Sequence, residues 1–310
     1  MTPPDYSAAI DSAAFFDDSA MGKIILRGPD ARKFLGNLST NDIAKLPSGV
    51  GCPTYFCDSR AKSLFQTTVY PIPHADGETF WLEVTPGRDA ALFQHLDRYL
   101  ISEAVELDNA TGRFAQFHLA GPKAGAILES AHAVDLPQAS TSLRKRDRLG
   151  VPGYDIVCAK ERSEEIAQML LAAGAIPGTP ATRDILRIEA GVAEYGKDFD
   201  ESRFVMEIAG AAQAVSYSKG CYLGQEPIVM SRDRAGHAPR SMVKLRSQSL
   251  LAAGVKLFSG TDEIGWVTSV TDSPRFGPIA LGYVKWKHRE PGTELEAEVS
   301  GGRAKVAVQP

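Results

Sequence analysis

The sequence predicts an α+β protein built from two related strand–helix units followed by a small antiparallel β-barrel. Three observations lead there. A junction of strand, Gly-Pro and helix occurs twice, around Gly28-Pro29 and Gly121-Pro122. Around the copies, β-rich runs and helical stripes alternate over mostly short connections. From Met242 onward the chain breaks into short β runs at near-regular spacing.

Lys23 to Arg27 is a β-rich run that stops at Gly28-Pro29, after which Ala31, Phe34, Leu35 and Leu38 recur at helical spacing. Phe114 to Leu119 is a second such run, stopping at Gly121-Pro122 before Ala124, Ile127 and Leu128. The hexapeptides Leu26–Ala31 and Leu119–Ala124 match at four of six positions, with Leu35 and Leu128 also in register. This reads as an internal duplication, unless strand, Gly-Pro and helix is simply a common junction. Between the copies, Pro53 to Cys57, Leu64 to Pro71 and Thr79 to Val84 read as strands, and Arg88 to Leu100 as a helix with Leu92, Leu96 and Leu100 on one stripe. Tyr154 to Ala159 reads as a strand. Ser163 is expected to cap a helix with Glu164 and Glu165 in its first turn and Gly174 at its end. The barrel strands are placed at Met242–Leu245, Val255–Phe258, Ile264–Val270, Ile279–Lys285, Leu295–Val299 and Ala304–Val308. The expected division is a domain over 1–241, of two subdomains, and a barrel over 242–310.

With 310 residues, 44% apolar and 23% charged, the composition is that of an ordinary globular protein. A net charge of −4 provides no broad basic footprint for nucleic acid, and no apolar run is long enough to span a bilayer. The first twenty residues carry Asp5, Asp11, Asp17 and Asp18 and no basic region, so the expectation is a cytoplasmic protein without a leader. Cys52, Cys57, Cys158 and Cys221 form no C-x-x-C pair and have no histidine at zinc spacing, so no metal centre is expected.

The most unusual chemistry lies between Ser218 and Glu226. Cys221 follows Lys219 by two residues, Gly220 and Gly224 flank the thiol, and Gln225 and Glu226 close the segment. A cation beside a cysteine favours the reactive thiolate, and glycines permit φ > 0 and close backbone approach. The other reading is a glycine-bounded turn burying a small apolar thiol. A second informative stretch runs from Thr182 to Gly196. On a helix, Ile185, Leu186 and Ile188 pack inward and Glu189 shares their face, where a carboxylate is costly without a partner or ligand. Pairing with Arg183 or Arg187 is the structural alternative. Arg232, Arg234 and Arg240 form a basic cluster suited to a folate tail or anionic RNA, or simply a solvated loop.

Lys219-Gly220-Cys221-Tyr222-Leu223-Gly224-Gln225-Glu226 resembles the signature of the YgfZ family, folate-binding proteins that support iron–sulfur enzymes. The run from Arg183 to Gly191 and the tail Tyr195-Gly196-Lys197-Asp198-Phe199-Asp200-Glu201 resemble motifs of the glycine-cleavage T-protein superfamily, of which YgfZ is a branch. Val205-Met206-Glu207 stands where relatives carry Pro-x-Glu, whose glutamate reaches the pterin of tetrahydrofolate in the T-protein branch; the proline is missing here. Likeness extends from Leu38-Ser39-Thr40-Asn41-Asp42 through the barrel, while Ala131 to Arg148 resembles nothing we can name.

The resemblance implies two α+β subdomains and a barrel around a central folate channel. It implies tetrahydrofolate or a derivative as cofactor, Cys221 and Lys219 as the active pair, and Glu189, Glu207, Tyr195, Gln225, Glu226 and Arg240 as folate contacts. Iron–sulfur client or assembly proteins are the implied partners, with tRNA as a weaker one. One departure matters. Where the T-protein carries the Asp-Asp used in aminomethyl transfer, this chain has Phe65 and Gln66, and losing a positioned acid or base typically costs ~10²–10⁴-fold. The expected role is therefore assembly or maintenance of iron–sulfur clusters. A tetrahydrofolate-dependent aminomethyltransferase or demethylase and a tRNA-modification factor are the alternatives.

Overall fold

The computed structural model describes residues 2–74, 77–131 and 141–310. Residues 132–140, part of the stretch that resembled nothing, lie outside them. The chain forms two compact units, the first of Met1–Phe56, Phe65–Arg183 and Ala214–Leu223, the second of Cys57–Leu64, Asp184–Gln213 and Gly224–Pro310.

The strands before the barrel are β1 (Ala14–Asp17), β2 (Gly22–Arg27), β3 (Cys52–Cys57), β4 (Ser63–His74), β5 (Gly77–Val84), β6 (Glu106–Asn109), β7 (Phe114–Ala120), β8 (Thr141–Lys145), β9 (Gly153–Ala159) and β10 (Ile176–Pro177). They make two five-stranded sheets, β3-β4-β5-β2-β6 and β10-β1-β7-β9-β8. Among them run α1 (Pro4–Asp11), α2 (Ala31–Leu38), α3 (Asp89–Tyr99), α4 (Ala124–Ser130) and α5 (Ser163–Ala172). α6 (Pro180–Ala190) and α7 (Gln225–Asp233) follow.

The duplication is visible in the backbone. β2 leads through Gly28 into α2 and β7 through Gly121 into α4, and each strand lies inside its sheet between two antiparallel neighbours. Gly28 has φ +118° and Gly121 φ +143°, and a Cβ would fall 2.1 Å from the Ala104 carbonyl oxygen or 2.3 Å from that of Ser12. Only glycine fits either turn.

On β7, Ala115, Phe117 and Leu119 point to a core made with Ile127 and Leu128 of α4 and Ile166 and Leu170 of α5. Phe114, Gln116 and His118 take the opposite face, and Phe114 meets Trp81 of the other sheet with ring centroids 4.6 Å apart. That inter-sheet layer is ionic. Glu83 accepts from Arg144 and Arg146, each at 2.6 Å. Asp155 accepts from Arg148 at 3.0 Å and pairs with His118 Nδ1 at 2.8 Å. Burial works to raise the Asp155 carboxyl, but Arg148, His118 and Arg146 outweigh it and hold it well below the usual carboxylate range. The arginines come from β8 and the residues after it, within the stretch that resembled nothing.

Ser163 does not cap α5. A 3-10 turn over Lys160–Arg162 leads straight into the helix, Ser163 is its first residue, and Arg162 instead pairs with Glu165 at 2.6 Å. Gly174, at φ +91°, ends it as expected.

In the second unit, β11 (Arg240–Ser247), β12 (Lys256–Ser259), β13 (Asp262–Ser273), β14 (Gly277–Lys285), β15 (Glu294–Val299) and β16 (Gly302–Gln309) close a barrel in the order β11-β14-β13-β12-β15-β16. Leu245, Leu257, Ile264, Val267, Val284, Leu295, Val306 and Val308 are among the residues of its core. Period-2 alternation then places Arg240, Met242 and Lys244 on the other side of β11.

Candidate functional site

The signature segment is fastened at two points with the thiol between them. Lys219 Nζ donates to the carbonyls of Gly36 and Ser39, both at 2.6 Å, and of Asn41 at 2.8 Å. The Leu223 N–H donates to the Asn37 carbonyl at 3.1 Å. These acceptors lie at and just beyond the end of α2, where carbonyls lack helical partners and a cation is favoured. An ammonium has three N–H donors, and these three carbonyls make the lysine an anchor of the segment. It also lies 4.8 Å from the Tyr222 ring centroid. The Leu38–Asp42 stretch completes the dock: Thr40 donates to the Ala214 carbonyl at 2.6 Å, and the Ser216 N–H donates to the Thr40 carbonyl at 2.9 Å.

Cys221 is exposed, whereas Cys52, Cys57 and Cys158 are buried and no disulfide forms. Burial pushes the Cys52 thiol up to about 11, against the pull of Lys219. Among the described residues Cys221 makes no hydrogen bond, which overturns the reading of a buried packing thiol. The two glycines differ. Gly224 sits at φ +81°, where a Cβ would lie 2.5 Å from the Asp58 carbonyl oxygen and 2.6 Å from Cys57 Sγ. Gly220 has open space around it and no positive φ, so it leaves the thiol uncovered without being needed for the turn. Gln225 and Glu226 form the first turn of α7, the one half-buried and the other exposed.

The two carboxylates singled out in the sequence differ in their partners. Glu189 is met by the Ser273 hydroxyl at 2.5 Å and by the Arg275 guanidinium. The expected structural partners are elsewhere: Arg183 pairs with Asp18, and Arg187 binds Asp198 at 2.7 Å, Asp184 at 2.5 Å and Glu194 at 3.0 Å. Asp198 also accepts from Thr268 at 2.5 Å and Ser269 at 2.7 Å, so the Arg-Asp and Tyr-Gly motifs build a buried structural network. Tyr195 is half-buried and edges onto Phe199, centroids 5.7 Å apart.

Glu207 ends a 3-10 turn over Val205–Glu207 and is 6% exposed. Among the described residues its carboxylate has one ionic neighbour, Arg203 Nη1 at 4.0 Å, and no hydrogen bond. The Arg203 guanidinium lies 5.1 Å from the Trp266 ring centroid and 5.5 Å from that of Tyr283. The two rings stack at 5.1 Å, and Arg240 lies 5.4 Å over Trp266. Arg240 Nε is buried without a hydrogen-bond partner. The structure thus gathers Glu207 and Arg240 around Arg203, Trp266 and Tyr283, which the sequence reading did not single out. One usable signal was present, an arginine four residues before the glutamate.

Phe65 is buried against His95, ring centroids 5.4 Å apart, and Gln66 donates to the Tyr55 hydroxyl at 3.2 Å. No carboxylate stands at that position. Among the described residues no group of three or more His, Cys, Asp or Glu side chains can hold a metal ion, and no helix is long and apolar enough to cross a membrane.

Residues 4–147 match the model of the GCVT N-terminal domain, and residues 240–310 match that of the Glycine cleavage T-protein C-terminal barrel domain. The chain belongs to the T-protein superfamily. It is 26% identical over 325 residues to an aminomethyltransferase of Desulforamulus reducens, covering 98% of this chain and 87% of the relative. A probable aminomethyltransferase of Natronomonas pharaonis is 29% identical over 323 residues, 98% of this chain and 88% of the relative. The crystal structure of the glycine cleavage system aminomethyltransferase T from Bartonella henselae is similar to this T-protein relative with a TM-score of 0.89 at 25% identity, covering 99% of this chain and 87% of that one.

Proposed function

We propose that this T-protein relative binds tetrahydrofolate, with Glu207 taking the pterin and Arg240 the anionic glutamyl end. The observation that carries this is the state of Glu207, a buried carboxylate with one ionic neighbour at 4.0 Å and no hydrogen bond among the described residues. Such a group costs stability unless a ligand satisfies it. Its two oxygens suit the parallel N–H donors of a 2-amino-4-oxo pterin. Arg240, with a buried and unpartnered Nε, supplies a charged donor to a carboxylate.

For the use of the bound folate we favour the YgfZ-type role, support of iron–sulfur clusters in client enzymes through Cys221. It is supported by the exposed thiol held between the Lys219 and Leu223 anchors, and by Phe65 and Gln66 where a transfer acid would stand. Aminomethyl transfer to tetrahydrofolate is the second reading, and the names of the curated relatives favour it. Two assays separate them. The YgfZ-type role expects Cys221→Ser to fail in restoring iron–sulfur enzyme activity to a deletion strain, and no turnover of an aminomethylated donor with tetrahydrofolate. Turnover by the native protein and by Cys221→Ser alike would install the second reading.

A further inference from the structure

We propose that the ionic layer between the two sheets of the first unit ends in a phosphate site, where Arg148 and Arg183 hold a dianionic phosphate, free or at the end of a phosphorylated metabolite. The layer is one alternating chain of charges. Arg183 meets Asp18, Asp18 meets Arg148, Arg148 meets Asp155, Asp155 meets Arg146, Arg146 meets Glu83 and Glu83 meets Arg144. Among the described residues it begins and ends on arginine, so three carboxylates face four guanidiniums. Lys23, 1% exposed and opposite Glu83 in the sheet, adds a further cation. Its ammonium donates to the carbonyls of Met21 at 3.0 Å and Ser19 at 3.4 Å, not to a carboxylate. An excess of buried positive charge is costly in a low dielectric unless an anion offsets it.

The unused bonding capacity lies at one end of the chain. Arg144 and Arg146 are committed. Arg146 alone reaches Glu83 at 2.6 Å, Tyr70 at 2.9 Å and Thr68 at 2.8 Å. Asp18 bridges the other two, giving Oδ2 to Arg148 and Oδ1 to Arg183, and so holds two like charges side by side. Among the described residues Arg183 bonds only through Nη1, and Arg148 only through Nη2, which serves both Asp18 and Asp155. Arg148 Nε is buried without a hydrogen-bond partner, a donor whose desolvation is not offset. Solvent reaches this end: the side chains of Arg148 and Arg183 are 14% and 30% exposed, against 4% for Arg144. Neighbouring guanidiniums with free nitrogens match the oxygens of a tetrahedral oxyanion. A dianion also suits the charge, since one arginine and Lys23 are in excess.

The test is calorimetric titration of the full chain with inorganic phosphate and with ribose 5-phosphate, at constant ionic strength set by sodium chloride. The proteins are the native chain, Arg183→Gln, Arg148→Gln and Lys145→Gln, the last removing an exposed cation of β8 outside the ionic chain. The native protein and Lys145→Gln should bind phosphate alike, while Arg183→Gln and Arg148→Gln bind it at least about tenfold more weakly, as loss of a charged hydrogen bond predicts. Should Arg148→Gln fail to fold, Arg183→Gln decides, because Asp18 keeps its Arg148 partner there. Tighter binding of ribose 5-phosphate would assign the site to a phosphorylated metabolite, and tighter binding of inorganic phosphate to the free ion. Binding of neither by the native protein, or equal affinities in the native protein and Arg183→Gln, would overturn the site and leave the folate reading untouched.

Discussion

Glu189 and Glu207 are both buried carboxylates of the second unit, yet only one has oxygens to spare. Glu189 meets Ser273 and Arg275; among the described residues Glu207 has one ionic neighbour, a guanidinium 4.0 Å away, and no hydrogen bond. Lys219 and Cys221 repeat the contrast two residues apart: the ammonium is committed to three carbonyls, the thiol to none. Burial or charge alone therefore does not mark a ligand group. Unused bonding capacity does, because a committed group is already satisfied by the fold.

The committed groups should fail as structure. The largest effect is expected from Arg187→Met, which strands Asp198 in the interior; breaking a buried pair costs ~3–5 kcal/mol, read as a lower urea midpoint. Lys219→Met should cost less, about 1–3 kcal/mol for carbonyls left without their charged donor, and should loosen the signature segment in hydrogen exchange. Glu189→Gln keeps its size and Arg275 is partly exposed, so a loss of about 1 kcal/mol is expected, with tetrahydrofolate affinity unchanged. An affinity loss from Glu189→Gln would break the contrast.

Acid should also reveal a commitment. Burial, helped by Arg98, pushes the His95 imidazole down from 6.5 to about 4. Between those values the unfolded chain binds more protons than the folded one, so this contribution to stability is present above 6.5 and lost as pH falls towards 4. His95→Phe should flatten stability against pH in that window, measured by thermal unfolding. The smallest effect belongs to the uncommitted thiol: Cys221→Ser should change stability by less than about 0.5 kcal/mol, while the native cysteine is the first alkylated by iodoacetamide.

The barrel strands and both Gly-Pro junctions were legible because each writes its structure locally, in β-branched runs bounded by turns or in a turn only glycine can make. β6, Glu-Leu-Asp-Asn, carries no apolar alternation because it is a short strand at the sheet edge. β8 was hidden for another reason. Its buried Arg144 meets Glu83, and Arg146 just beyond the strand meets Asp155, so the inward face reads as polar. At the site, the motifs around Glu207 and Cys221 could be read, but not which groups were spoken for. Lys219 sits two residues from Cys221 in sequence, and only the fold shows its ammonium turned to the end of α2. Trp266 and Tyr283 come from barrel strands some sixty to eighty residues beyond Arg203, a distance no local pattern spans.

The most direct measurement is a calorimetric titration of tetrahydrofolate into the native protein and into Glu207→Gln, with unfolding followed on both. The native protein should bind. Glu207→Gln, which offers a donor where the pterin needs a second acceptor, should lose ~1.5–3 kcal/mol of affinity, or more than tenfold, while its stability stays the same or rises. Equal affinity in the two proteins, or a stability loss without an affinity loss, would contradict the assignment and place Glu207 with Glu189 among the groups the fold already uses.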